Sequence, residues 1–183
     1  KRPDFRIVSF LELMEEYFQQ GRLQVDPTRI RERATLHDPC NTVRQGGLSE
    51  PQRAILRRCA ADFVEMTPHG AENFCCGGGG GQLAMAEYRQ KRLQSGGVKA
   101  EQIRVTGAKV VVAPCHNCID QLMELNREYK LGVVIKTVAE MVAQSIVHVA
   151  EEGSGQILRR LSFEMLCRGT LRDRVLDGAC DAF

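Results

Sequence analysis

Residues 108–118 read AKVVVAPCHNC, and this stretch decides the fold. A continuous β-branched run of this kind suits a central strand covered on both faces, because an edge or one-sided strand would alternate polar with apolar positions. The strand should end at Cys115. Immediately after it, HNCIDQLMELNREYK places apolar residues at helical spacing, so the chain turns from strand to helix at a Cys-x-x-Cys unit, Cys115 and Cys118. Free amides at a helix start stabilise thiolates.

Working outward, the same alternation recurs. FRIVSFLELMEEYFQQGRL reads as a short strand passing into an amphipathic helix, with Ser9 and Glu12 spaced as a capping box and Gly21 as the stop. RATLHDPC predicts a second strand ending at Cys40. SEPQRAILRRCA predicts a helix opened by Pro51, and DFVEM a third strand leading into the loop with Cys75 and Cys76. LAMAEYRQKRLQ and VKAEQIRVTG predict helices, the latter closed by Gly107. GVVIKTVAEMVAQSIVHVA predicts a last strand followed by a last helix. Strands alternating with helices give an α/β class: a mainly parallel sheet flanked by helices, with cysteine-bearing loops converging at strand C-terminal ends. Residues 1–150 are expected to form this domain. EEGSGQ then reads as a hinge, and residues 151–183 as a helical C-terminal tail in which Cys167 and Cys180 are ordinary side chains.

Composition excludes several classes. The 183 residues suffice for one core of normal size, and the net charge of +2 comes from 25 basic and 23 acidic side chains spread along the chain. Neither nucleic acid nor an anionic membrane is thereby favoured as a partner. No apolar run approaches the roughly 18 to 20 residues of a membrane span, so direct membrane insertion is not expected. The first residue is Lys1 rather than Met, which suggests a piece of a longer protein. Eight cysteines without a secretory signal point to metal or redox chemistry rather than a disulfide framework.

ENFCCGGGGGQL, residues 72–83, sharpens this reading. Adjacent Cα atoms lie about 3.8 Å apart, below the roughly 4.4 Å usual for disulfides, so Cys75 and Cys76 want partners other than each other. Two neighbouring thiolates can reach two metal atoms of one polynuclear centre. The glycines that follow, Gly77, Gly78 and Gly79 first among them, let a bare main chain approach a bulky inorganic core and turn amides toward its sulfurs. The run is followed by Gln82 and Leu83 rather than Lys and Ser or Thr, so the phosphate-binding P-loop signature fails. Cys40, Cys75, Cys76, Cys115 and Cys118 give five donors where a zinc site or a cubane cluster needs four. The surplus points to an unusual cluster or to one cysteine with a chemical role. His116 is a candidate for tuning a cluster or moving a proton, and His37 and His69 lie near the thiols in sequence. Cys59 sits among apolar helix positions and reads as a core side chain.

HDPC at 37–40, NFCCGGGGG at 73–81 and VVAPCHNC at 111–118, with the EEYFQQGRL helix and the DFVEM strand in their expected places, together resemble the cysteine-rich CCG domain. The resemblance covers most of residues 5–149. It is to the B subunit of heterodisulfide reductase and its relatives, above all the reductase-like K subunits of the membrane complex associated with dissimilatory sulfite reductase. It implies that Cys40, Cys75, Cys76, Cys115 and Cys118 jointly hold a non-cubane 4Fe-4S cluster that acts on a disulfide or thiol substrate. The substrate would be a disulfide-bearing protein or a small thiol. It further implies electron-transfer partner subunits (ferredoxin-like, flavin or quinone-reactive) and a reducing, anaerobic cytoplasm, with membrane attachment through those partners. The B subunit has two such cysteine units and this chain one. Two alternatives stand beside the disulfide oxidoreductase: a zinc-stabilised interaction module, and an electron relay for a glycolate, lactate or glycerol-3-phosphate oxidation complex.

Overall fold

The computed structural model describes residues 6–79 and 81–149. The tail expected at 151–183, with Cys167 and Cys180, lies outside them. Four strands form one parallel sheet: β2 (Ala34–Leu36), β3 (Phe63–Val64), β4 (Val110–Val112) and β5 (Val134–Lys136), in the order β3-β2-β4-β5. Registers pair Thr35 with Val64 and with Val111, and Val111 with Ile135. The two inner strands are buried at every position, as the run of three valines requires. The outer strands are half-buried or exposed. The α/β class and the parallel sheet expected from sequence are thus present.

Helices α1 (Phe10–Gln19), α2 (Ser49–Cys59) and α6 (Val138–Ser145) pack together, and α3 (Arg89–Ser95), α4 (Gly97–Thr106) and α5 (His116–Glu128) form a second group. The capping box at α1 is formed: the Ser9 hydroxyl accepts from the Leu11 amide at 3.2 Å, and Glu12 accepts from the Ser9 amide at 2.9 Å. Spacing of three and four residues then puts Leu11, Met14 and Phe18 on one buried stripe. Thr137 and Glu140 cap α6 in the same way.

Several elements differ from the sequence expectation. The described residues before α1, 6–9, form no strand. β2 ends at Leu36, not Cys40. LAMAEY adopts two short 3-10 turns, and α3 begins only at Arg89, because Met85 is extended and breaks the helical path. Finally, β1 (Leu23–Val25) and β6 (Ile146–Val149) pair as a separate two-stranded sheet. Residues 146–149 were expected within the last helix, yet Ile146 turns to extended backbone and ends it.

Candidate metal centre

Three loops that follow β2, β3 and β4 carry the cysteines singled out by sequence. Beyond Leu36 the chain continues in register for one residue, His37 donating its amide to the Val112 carbonyl at 2.8 Å. Asp38 and Pro39 then lead to Cys40, which opens a π-type turn, Asn41–Gln45. Beyond β4, Ala113 bonds to Lys136, and Cys115 stands in extended backbone at the N-terminus of α5.

The first and second loops are tied together by buried polar groups. The Asp38 carboxylate accepts from Gln52 (2.6 Å), from both terminal nitrogens of Arg53 (2.8 and 2.6 Å) and from the Gly70 amide (2.6 Å). Arg53 also binds Glu65 at 2.9 Å. Burial alone would raise the Asp38 carboxyl, but the hydrogen bonds from Arg53 and Gly70 and the Arg53 charge outweigh it and hold its pKa below the usual carboxylate value. From the first loop, Arg44 donates to the carbonyls of Ala71 (2.7 Å) and Asn73, while the Asn73 amide donates to the Asp38 carbonyl. Arg44 therefore clamps the strand of chain that presents Cys75 and Cys76.

The second and third loops meet through thiols and through missing side chains. The Sγ atoms of Cys76 and Cys118 lie 3.5 Å apart, both buried. A Cβ on Gly78 would come within 2.5 Å of the Gln121 Cβ, and one on Gly77, whose φ is +87°, within 3.0 Å of the Arg92 carbonyl. At these two positions glycine is needed for close contact with protein. Gly79, by contrast, has nothing within 4 Å of an added Cβ.

A ring nitrogen of His37 joins Cys76 and Cys118 in a buried set whose donor atoms all lie within 4.8 Å of one another. Both His37 ring nitrogens are buried without a hydrogen-bond partner. Burial pushes the imidazole toward its neutral, ligand-competent form. Cys76 is drawn well below the ordinary thiol pKa, first by hydrogen bonding with Cys118 and then with Cys75. Cys118 is correspondingly pushed up, by Cys115 and then Cys76, and Cys75 is pushed up by Cys76 and by burial. Cys115 comes down to about 6, chiefly through Cys118, against burial and with help from the nearby amides of Cys118 and Asn117. Cys75 is exposed and Cys40 half-buried; the charge of Cys40 contributes to the shift at Cys75. His116 is 88% exposed, 3.8 Å from Asp120, and so faces solvent rather than the thiols. His69 bonds to the Met66 carbonyl, and Cys59 is fully buried in the core.

Sequence reasoning missed Lys99 and the Asp38–Arg53 pair, and gave His37 no more weight than the other histidines. Lys99 lies on α4 and is completely buried. Its ammonium donates to Asn73 Oδ1 at 2.6 Å and to Gln102, and burial brings it down to about 8. No periodicity marked it, since α4 has only a weakly segregated apolar face.

Soft thiols and an unpartnered buried imidazole are a donor set suited to a thiophilic metal or an iron–sulfur cluster. The fold and this set define a class: a parallel α/β domain whose cysteine-bearing loops meet beyond the central strands. Residues 34–123 match the cysteine-rich domain named CCG, and this part of the chain belongs to that family. The chain is 31% identical over 144 residues to a probable membrane-anchored ferredoxin of Chromohalobacter salexigens, covering 78% of this chain and 21% of that protein. It is 28% identical over 149 residues to an Hdr-like menaquinol oxidoreductase iron-sulfur subunit 2 of Archaeoglobus fulgidus (78% and 27%). It is also 28% identical over 151 residues to one subunit of the dihydromethanophenazine:CoB–CoM heterodisulfide reductase of Methanosarcina acetivorans (78% and 34%). The chain therefore spans about a fifth to a third of the length of these relatives. No solved structure matches it.

Proposed function

We propose that residues 1–150 form the iron–sulfur domain of an electron-transferring oxidoreductase of the heterodisulfide reductase type. Cys40, Cys75, Cys76, Cys115 and Cys118 would hold its cluster, a non-cubane 4Fe-4S centre. When bound, the cluster supplies one-electron redox chemistry toward a disulfide or thiol substrate. The chain's own residues do the rest. Asp38 and Arg44 fix the Cys75–Cys76 loop, Gly77 and Gly78 seat it on α3 and α5, and the buried side excludes water from Cys76 and Cys118. Partner subunits bring the electrons, and attachment to a membrane runs through them; no helix among the described residues is long and apolar enough to cross one.

The observation that carries this reading is the 3.5 Å approach of Cys76 to Cys118, two residues 42 apart in sequence, in a domain that matches the CCG family. The test is anaerobic reconstitution followed by iron, sulfide and zinc analysis and EPR of the oxidised protein. Iron with matching sulfide is expected, and Cys76→Ser should abolish it. Full iron content with an unchanged spectrum in Cys76→Ser would overturn the ligand assignment. Assays against disulfides and hydroxyacids, with partner subunits present, separate disulfide chemistry from a hydroxyacid relay.

A second reading has its own observation. Tetrahedral zinc with Zn–S near 2.3 Å places its ligands roughly 3.8 Å apart. The Cys76–Cys118 separation of 3.5 Å, with His37 beside them, approaches that geometry. Zinc without sulfide in the purified protein would favour a structural module.

A further inference from the structure

Lys99 has no role in the reading above, yet it is the buried charge whose partner is missing. Its ammonium contacts three neutral groups: Asn73 Oδ1 at 2.6 Å, the Gln102 side-chain oxygen, and Met66 Sδ at 3.6 Å. Burying an ammonium with only neutral partners is costly, so a counter-charge should lie close by. The nearby carboxylates are already engaged. Both oxygens of Asp38 are taken by Arg53, Gln52 and the Gly70 amide, and Glu65 is taken by Arg53.

The thiols remain. Met66, which the ammonium touches, packs in one core cluster with Cys76 and Cys118. Asn73, which it holds, stands two residues before Cys75. Against burial, the charge of Asp38 comes first in favouring the charged form of Lys99, followed by interaction with Cys76, Cys75 and Cys118.

Resting on the iron–sulfur reading, we propose that Lys99 is the potential-setting cation of this centre, a positioning residue whose buried charge balances the thiolate-bound cluster and stabilises its reduced state. Reduction adds one negative charge, and a fixed cation in a low-dielectric interior lowers the free energy of the more negative state. Its amide and thioether contacts hold that cation in place by hydrogen bonding alone, leaving its charge for the centre.

The test compares anaerobically reconstituted wild type with Lys99→Met, Lys99→Gln and Lys99→Arg by redox titration followed by EPR. Both neutral variants should take up iron and titrate at a more negative midpoint, with the oxidised-to-reduced ratio at fixed potential changed at least tenfold, equivalent to about 59 mV for one electron. Lys99→Arg should return toward the wild-type midpoint. An iron-loaded Lys99→Gln protein with the wild-type midpoint overturns the proposal, even if its thermal stability has fallen. Should Lys99→Met not fold, Lys99→Gln retains hydrogen bonding and decides. If wild type binds no iron, the iron–sulfur reading fails instead. The charge coupling is then read in reduced, metal-free protein, as a lower ultraviolet thiolate absorbance at neutral pH in Lys99→Gln; equal absorbance overturns it.

Discussion

Replacing Asp38 by alanine should cost this domain more than losing any single thiol, and the structure gives the size of the effect. Asp38 is almost wholly buried and receives four hydrogen bonds, two from Arg53 and one each from Gln52 and the Gly70 amide. Its removal leaves Arg53, itself only 3% exposed at the side chain, without its closest counter-charge. Breaking one side of a buried ion pair costs about 3–5 kcal/mol. Arg53 keeps Glu65 at 2.9 Å and the Ser49 hydroxyl at 2.8 Å, so the lower end, about 3 kcal/mol, applies. At roughly 2–4 °C per kcal/mol for a chain of this size, Tm should fall by about 6–12 °C. Denaturant unfolding of reduced, metal-free Asp38→Ala and wild type measures it, with an unchanged m-value required for the comparison. Because the Asp38 carboxylate also anchors the Gly70 amide in the second loop, metal uptake should weaken as well. A loss below about 1 kcal/mol, the range of an exposed pair, would refute the claim that this network holds the first two loops together.

The same residue sets an acid limit. Its folded pKa lies below the ordinary 3.8, so the unfolded chain binds the proton more readily. The Asp38 contribution is therefore fully present above about pH 4 and is lost as pH falls through the depressed folded value. Wild type should lose stability in that window, and Asp38→Ala should lack this part of the acid dependence.

Further outcomes follow from single contacts. Gly78→Ala, with a Cβ forced to 2.5 Å from the stem of buried Gln121, should cost about 1–3 kcal/mol and impair metal uptake, whereas Gly79→Ala should do neither. Denaturation and metal analysis of the pair check this. Cys59→Ala should lower stability by about 1 kcal/mol through lost core packing and leave metal content unchanged. In metal-free reduced protein, Cys115 should be alkylated as a thiolate, with a rate half-maximal near its pKa of about 6; a midpoint at the ordinary thiol value would contradict its hydrogen bonding with the Cys118 thiol and, second to it, with the nearby amides. Peptide mapping after iodoacetamide treatment across pH reads it out.

Much of the fold was legible because particular residues have narrow conformational meaning. The valine run at 110–112 specified a strand buried on both faces, Ser9 with Glu12 specified a helix start, and Gly107, at φ +65°, specified a helix end. Other segments lacked such markers. Ile146–Val149 has apolar residues compatible with either helical or extended spacing, and only its pairing with Leu23–Val25 makes it a strand. LAMAEY consists of good helix formers, but the chain leaving the glycine loop turns through Gly81 at φ +78° and a further extended residue, Met85, before helix can propagate.

The sequence by itself determined which chemistry this chain can hold: its thiols, their spacing at strand ends and the glycines beside them are local facts that no packing can alter. Only the tertiary structure decided which of them meet. The order β3-β2-β4-β5 brings loops distant in the chain to one end of the sheet, sets Cys76 against Cys118, buries His37 without a partner, and closes Lys99 in with neutral contacts. The physical reason is that burial and charge pairing are relations between distant segments, whereas a motif records only what its own few residues can do.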